Sequence, residues 1–557
     1  MKRMKQLWAI LLVIVLIGSC FVGCGQSNEK DTGTTTTTGS QTVSGTDNST
    51  QEEKVEDNPF AEPMEFTIAN AEITDYELND ELAQYYFEKF NFKLKPVPVT
   101  QNDYKEKGKI WAASGELPDI FTYGITGSEE AATKKSWIDQ KIIRALPKDL
   151  SAYPNVQTIM SQPDVQSQKE PDGSFYFFAI SAYATPDGWA SDRNLLVRKD
   201  WMEKLGFKDP QNFDEFIAMC KAFAEKDPDG NNKADTIGFA PNFYAYMAQL
   251  SLSTDLPNIT NGSWVNEDGK WIPYYASPKY VDYLRLIRRM YTEGALDKDF
   301  AIRKNNEGGD LFAQGRIGCM AYNSQPKLLK VVKDNFEKNT GLKFFDSVKV
   351  LRMWPNSQGD VYHYTESTYW TDMIFNAATV DDKKMDRFLR FLDFVNSDEG
   401  IMIKRYGIPE KDFKLEDGKP VILREKNADG TYKELLTLYP SLFMWRDLPG
   451  AMVDLDFIED AANYANFGED VVNHSATERN HQLENTKTIP TNFAINGMDV
   501  PAKANYSITM KDEVIKVVLG NEDPEKMWKA TLERFNKIGL QDVINQVNEK
   551  AQELGIK

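Results

Sequence analysis

From Met64 onward the chain alternates between two hydrophobic rhythms. "MEFTIAN", "FKLKPVPV" and "PDIFTYG" are short runs with the spacing and bounding residues of strands. Between them, "NDELAQYYFEKF" and "NDYKEKGKIWAASG" repeat apolar residues every three or four positions, as helices do. Strands alternating with helices predict an α/β architecture with largely parallel sheets. Later helices carry their own start and stop signals. In "NFDEFIAMCKAFAEK", Asn212 is placed to cap and Glu215 to answer it three residues on. "SPKYVDYLRLIRRMYTEG" runs from Ser277 to Gly294, and an amphipathic pair beginning "DDKKMDRFLRFLDFV" ends at Gly407. The C-terminal stretch is helical with a break near Gly539. No internal repeat is present.

The first residues break this pattern. "MKRMKQLWAILLVIVLIGSCFVGCGQSN" sets basic residues before an apolar run, Leu7 to Ile17, and then small residues. That is the plan of a secretory signal, and the run is short for a membrane span. "FVGC" resembles a bacterial lipobox, in which the cysteine becomes the lipidated first residue. Cys24 fits that role, with Gly23 before it and a polar tail after it; Cys20 in "IGSC" is the alternative. Residues 1–23 are therefore expected to be a removable leader. Residues 24–61, Thr/Ser/Gly-rich and then acidic, are expected to be a disordered tether, because they cannot bury enough apolar surface to offset their ordering entropy. The predicted location is the outer face of the cell membrane, held by lipid.

A chain of 557 residues is too long for one ordinary core, so more than one domain is expected. Its net charge of -19 argues against nucleic acid or an anionic membrane surface as partner. Three histidines argue against a His-rich zinc site. Cys220 and Cys319 read as buried thiols, the first on a helical apolar stripe and the second in the strand-like "RIGCMAY".

Six stretches in order, "ASGELPDIFTY", "LLVRKDWMEKLGF", "FAEKDPDGNNKADTIGF", "MYTEGALDKDFA", "FAQGRIGCMAY" and "RYGIPEKDF", carry a family resemblance. Together they resemble the extracellular solute-binding family 1 lipoproteins of ABC transporters, and in particular the subgroup that includes alginate-oligosaccharide-binding proteins and many Gram-positive lipoproteins. The resemblance covers the body from about residue 62 to the end. It implies a type II periplasmic-binding-protein-like fold, with two α/β lobes joined by crossing strands around a ligand cleft. By analogy, 62–187 and 370–435 form one lobe, and 188–369 and 436–557 the other. The first crossing falls near "PDGWASDRN" and the return near "YWTDMIFNA". The implied function is capture of an oligosaccharide or related carbohydrate by a monomer and its delivery to ABC permease subunits.

"DPDGNNKADTIG", Asp227 to Gly238, has the spacing of an oxygen cage for a hard cation. Calcium loops of the EF-hand type draw ligands from positions one, three, five, seven and nine. Here these are Asp227, Asp229, Asn231, Lys233 through its carbonyl, and Asp235. Asn232 stands where EF-hands have glycine, and Gly238 stands where they have a bidentate glutamate. The expectation is a structural calcium of modest affinity; the alternative is a metal-free Asp-rich turn.

Among function classes, the chain reads as a binding protein rather than an enzyme. It has no G-x-S-x-G elbow, no H-E-x-x-H and no phosphate-binding glycine loop. The rivals are a secreted glycan-active enzyme using paired carboxylates, and a sensor or receptor for peptides or other solutes on the same fold. Aromatic side chains suit sugars because they pack against apolar C–H faces while amides and carboxylates take the hydroxyls. Strand ends and crossings nominate Tyr123, Trp189, Tyr244, Tyr322 and Trp370 for stacking, with Asn323 and Glu366 as polar partners.

Overall fold

The computed structural model describes residues 60–71, 78–260, 262–428, 431–447 and 458–556. The leader, Cys20, Cys24 and all but the end of the tether lie outside the described residues. Two sheets organise the rest. The first is built from β1 (Met64–Ala69), β2 (Phe92–Pro96), β3 (Ile120–Thr122) and β4 (Phe178–Ser181). The chain then passes to β5 (Asn194–Arg198) and β6 (Ile237–Pro241) of the second sheet. A hairpin of β7 (Trp264–Glu267) and β8 (Lys270–Pro273) follows, and then β9 (Ile317–Tyr322) and β10 (Val348–Leu351). A two-residue strand, β11 (Tyr362–His363), leads back to β12 (Tyr369–Phe375) in the first sheet.

The strand orders are β2-β1-β3-β12-β4 and β10-β5-β9-β6. The sheets are mixed rather than largely parallel. β1 runs parallel to β2 and β3, and β6 to β9. β12 is antiparallel to β3 and β4, and β5 to β9 and β10. The reason is connectivity. β5 and β12 are the strands that arrive from the other sheet, so they enter opposite to strands laid down by local strand–helix–strand windings.

Local signals account for the helices that cover these sheets. Asn212 caps Phe213–Glu225 by accepting from Glu215 N–H at 2.9 Å, while the Glu215 carboxylate reaches back to Gln211 N–H at 2.9 Å. Each sheet has its own apolar core, one around Phe66, Phe121 and Phe388, the other around Trp201, Phe216 and Trp528. Cys220 and Cys319 are free thiols buried in the second core. Tyr439, Leu442 and Trp445 pack in the first core. This corrects the boundary at 435: the chain stays with the first sheet to Trp445, because Trp445 fills a gap between Tyr86, Phe87 and Phe391. Among the described residues, no helix is long and apolar enough to cross a membrane.

Candidate functional site

A cavity of about 700 Å³ lies between the two sheet bodies. The first body supplies Lys105, the loop Gly124–Gly127 after β3, and Ser167 and Gln168. The second supplies Thr260, Ser263 and the irregular segment from Phe493 to Lys503. The return crossing, from Thr365 into the start of β12 at Thr371, forms the floor. A second cavity of about 500 Å³ runs into the second body and is rich in tyrosine, including Tyr244, Tyr274 and Tyr283. Glu366, Asn496 and Lys503 line both, so the two adjoin. Both volumes are typical of small-molecule sites.

Buried carboxylates hold the walls in place. Asp372 on β12 accepts from Ile125 N–H and Thr126 N–H, both at 2.8 Å, and from the Thr126 hydroxyl at 2.7 Å. Burial pushes its carboxyl above the usual range, and those three donors oppose the rise. Asp164 accepts from the N–H and the hydroxyl of Thr368, tying the return crossing to the first body. In the other crossing, Arg193 pairs with Asp192 and lies 4.0 Å over the Tyr246 ring and 4.9 Å over Tyr364. Tyr364 in turn donates to Glu366 at 2.5 Å. The bodies also touch directly. A Cβ added at Gly497 would lie 2.1 Å from Ser167 Oγ, so only glycine allows this approach.

Three of the seven expected binding residues line the cavities, and the structure gives reasons. Trp370 sits at a register shift in the β12–β4 pairing, between Tyr369 and Thr371. A bulge re-aims a side chain, and here it turns the indole toward the cleft. Glu366 stands where the two cavities join, and Tyr244 lines the second. The other four do not line either cavity. Tyr123 is fully buried, 4.8 Å from the Trp137 ring, with its hydroxyl donating to Glu130 at 3.2 Å. The alternation of β3 turns Tyr123 under its covering helices, and the cleft wall begins one residue later at Gly124. Tyr322 is buried in a third apolar cluster beside the second sheet. Asn323 is buried, donating to Asp192. Trp189 packs the two crossings together, its indole N–H donating to Ser367 C=O at 2.7 Å.

The irregular segment "TNFAINGMDVPAKAN" was missed because it has no hydrophobic period to read. Its glycine and proline between two helical patterns were the available signal.

The Asp227–Asp235 loop forms a tight turn. Asp227, Gly230 and Asn232 have φ of 47°, 73° and 59°, so Asn232 does adopt the left-handed backbone that EF-hands give to glycine. The Asn231 amide donates to Asp229 at 2.7 Å and Asp235 at 3.1 Å, and Asp227 accepts from Asn231 N–H at 3.2 Å and Asn232 N–H at 3.0 Å. Partial burial and the neighbouring Asp227 and Asp235 push the Asp229 carboxyl up. Gly238 explains the missing glutamate: a Cβ there would lie 2.1 Å from the Cys220 carbonyl oxygen. Among the described residues, no trio of carboxylate, imidazole or thiolate side chains is gathered at metal-binding distances.

Comparison with known proteins places this architecture. Lipoprotein LipO of Bacillus subtilis is 26% identical over 352 residues, 62% of this chain and 66% of LipO, just under two thirds of its length. Among solved structures, the alginate-binding protein AlgQ2 without calcium ion superposes with a TM-score of 0.65 at 19% identity, covering 88% of this chain and 98% of that one. The Streptococcus pneumoniae ABC-transporter substrate-binding protein FusA in complex with kestose gives 0.62 at 16% identity, covering 89% and 99%. They share the fold, two α/β bodies around a cleft. The family model for the bacterial extracellular solute-binding proteins matches residues 70–402, well over half of the sequence, and the chain belongs to that family.

Proposed function

We propose that this protein captures an oligosaccharide in the cleft between its two bodies and hands it to an ABC permease. The observation that carries the reading is the cleft cavity, with one wall from each body, Trp370 half-buried on it and Glu366 where it adjoins the second cavity. An indole offers a face for sugar C–H groups, and the surrounding carboxylate, amides and hydroxyls suit sugar hydroxyls. AlgQ2 and FusA, by their names, bind carbohydrate. A panel of neutral and acidic oligosaccharides in a thermal-shift screen, followed by calorimetry, tests this. A raised melting temperature with recovery of intact sugar is expected. Cleavage products would point to an enzyme instead, and no response from any sugar would remove the reading.

The Asp227–Asp235 loop is proposed to hold a structural calcium. Asp227, Asp229 and Asp235 crowd like charges that a divalent cation would neutralise. Turning the Asn231 carboxamide would bring its oxygen to where the amide nitrogen now meets two carboxylates. Calcium there would brace the turn that follows helix Phe213–Glu225. Anchoring through lipidated Cys24 at the outer membrane face is likewise proposed. Cys24→Ala should release the protein into the medium; release by Cys20→Ala instead would assign the other cysteine.

A further inference from the structure

The cleft lysines divide into two kinds. On the first body each has a carboxylate: Lys105 has Glu130 at 3.4 Å, Lys134 has Glu170, and Lys135 has Asp139 at 2.9 Å. On the second body, Lys503 and Lys550 have none within ion-pair distance among the described residues. Lys503 Nζ donates only to Asn496 C=O at 3.4 Å, and Lys550 Nζ to Asp499 C=O at 2.7 Å. Both are half-buried, both line the cleft, and Lys503 stands at the junction of the two cavities. Burial, with Lys550 adding to it, lowers Lys503 to about 8, although the exposed Asp499 carboxylate nearby pulls the other way. The acids that line the same junction do not close the gap. Glu366 is engaged by Tyr364 and faces Arg193 at 4.0 Å, and Glu129 lies across on the first body. Two neighbouring ammonium groups with spare donors and no ion-paired carboxylate offer charge-assisted hydrogen bonds to an anion from outside the chain.

We infer that Lys503 and Lys550 form an anion subsite, so that the oligosaccharide captured in this cleft is an acidic one. The inference rests on the oligosaccharide reading and narrows it. Fold likeness does not decide the point, because AlgQ2 is named for an acidic glycan and FusA was solved with a neutral one. A carboxylate on a sugar ring, as in a uronic acid, or a sulfate ester meets the same requirement. Either would accept from both ammonium groups in charge-assisted hydrogen bonds, while the rest of the chain lies on Trp370.

The test uses matched pairs in calorimetry: trigalacturonate and its methyl ester, a mannuronate trimer and its methyl ester, and a sulfated disaccharide with its desulfated form. In the wild-type protein, the acidic member of the tightest pair should bind at least about tenfold more strongly than its neutral partner. Lys503→Gln and Lys550→Gln should each lower the acidic member's affinity far more than the neutral partner's, and so erase most of that preference, in protein that still unfolds cooperatively. Lys503→Arg should keep the preference, which separates charge from packing. Preference in the carboxylated pairs or in the sulfated pair tells the two anions apart. If a sugar binds but its neutral form binds equally well, or the glutamine variants keep the preference, the anion subsite is refuted and the oligosaccharide reading stands. If neither these nor neutral oligosaccharides bind, both fall together.

Discussion

Gly497→Ala adds one methyl group where the two bodies meet. The new Cβ would lie 2.1 Å from Ser167 Oγ, 2.7 Å from Gln168 Nε2 and 2.9 Å from Ser167 Cβ. Ordinary contact needs about 3.5–4 Å, so the bodies must separate or Ser167 must move. Ser167 is held, because its hydroxyl donates to Asp164 C=O at 2.6 Å. The backbone is not the obstacle: Gly497 has φ of -83°, which alanine adopts freely. Overpacking of this kind costs about 1–3 kcal/mol. If ligand capture needs the bodies in contact, that cost appears as roughly 5- to 150-fold weaker binding. The melting temperature without ligand should hardly change, since neither core is touched. Calorimetry with the tightest-binding sugar measures the loss, and small-angle scattering should find the liganded variant less compact than the liganded wild type. Ser167→Gly removes the colliding atoms, so the double variant should recover most of the affinity. Wild-type affinity in Gly497→Ala, or failure of Ser167→Gly to rescue it, would refute closure through this contact.

Trp370→Ala should weaken sugar binding by about 1–3 kcal/mol, by analogy with base–aromatic stacking, and leave the unliganded melting temperature nearly unchanged. Tyr123→Ala should do the reverse: emptying a fully buried aromatic site costs about 3–5 kcal/mol of stability, read by denaturant unfolding, with affinity retained in the folded fraction. Chelation with EDTA should lower the melting temperature and added calcium restore it, and Asp229→Ala should abolish both responses; a calcium-insensitive wild type would remove the metal. Because Lys503 ionises near 8 in the free protein and a bound anion must raise that value, binding an acidic sugar takes up a proton above pH 8. Affinity should therefore be flat from about pH 6 to 7 and fall as pH rises past 8, by at most tenfold per unit; Lys503→Arg should flatten the profile.

The sequence by itself determined what depends on neighbours along the chain. Periodicity located the strands and helices, the Asn212–Glu215 signal marked a real helix start, and the Asp-rich spacing built a tight loop with Asn232 in the left-handed region. Family resemblance reached the two-lobed architecture. Tertiary structure alone decided which way each side chain faces and what meets across the cleft. Tyr123 and Trp370 both read as aromatics beside a cleft. The pleat buries one under helices, and a one-residue register shift turns the other outward. Neither is visible in a single strand, since both depend on pairing with strands far away in sequence. Gly497 and Lys503 belong to a segment with no period, Lys550 reaches the cleft from the C-terminal helix, and Gly497 meets Ser167 more than 300 residues earlier in the chain. Such contacts are set by how the bodies pack, and local propensity carries no record of them.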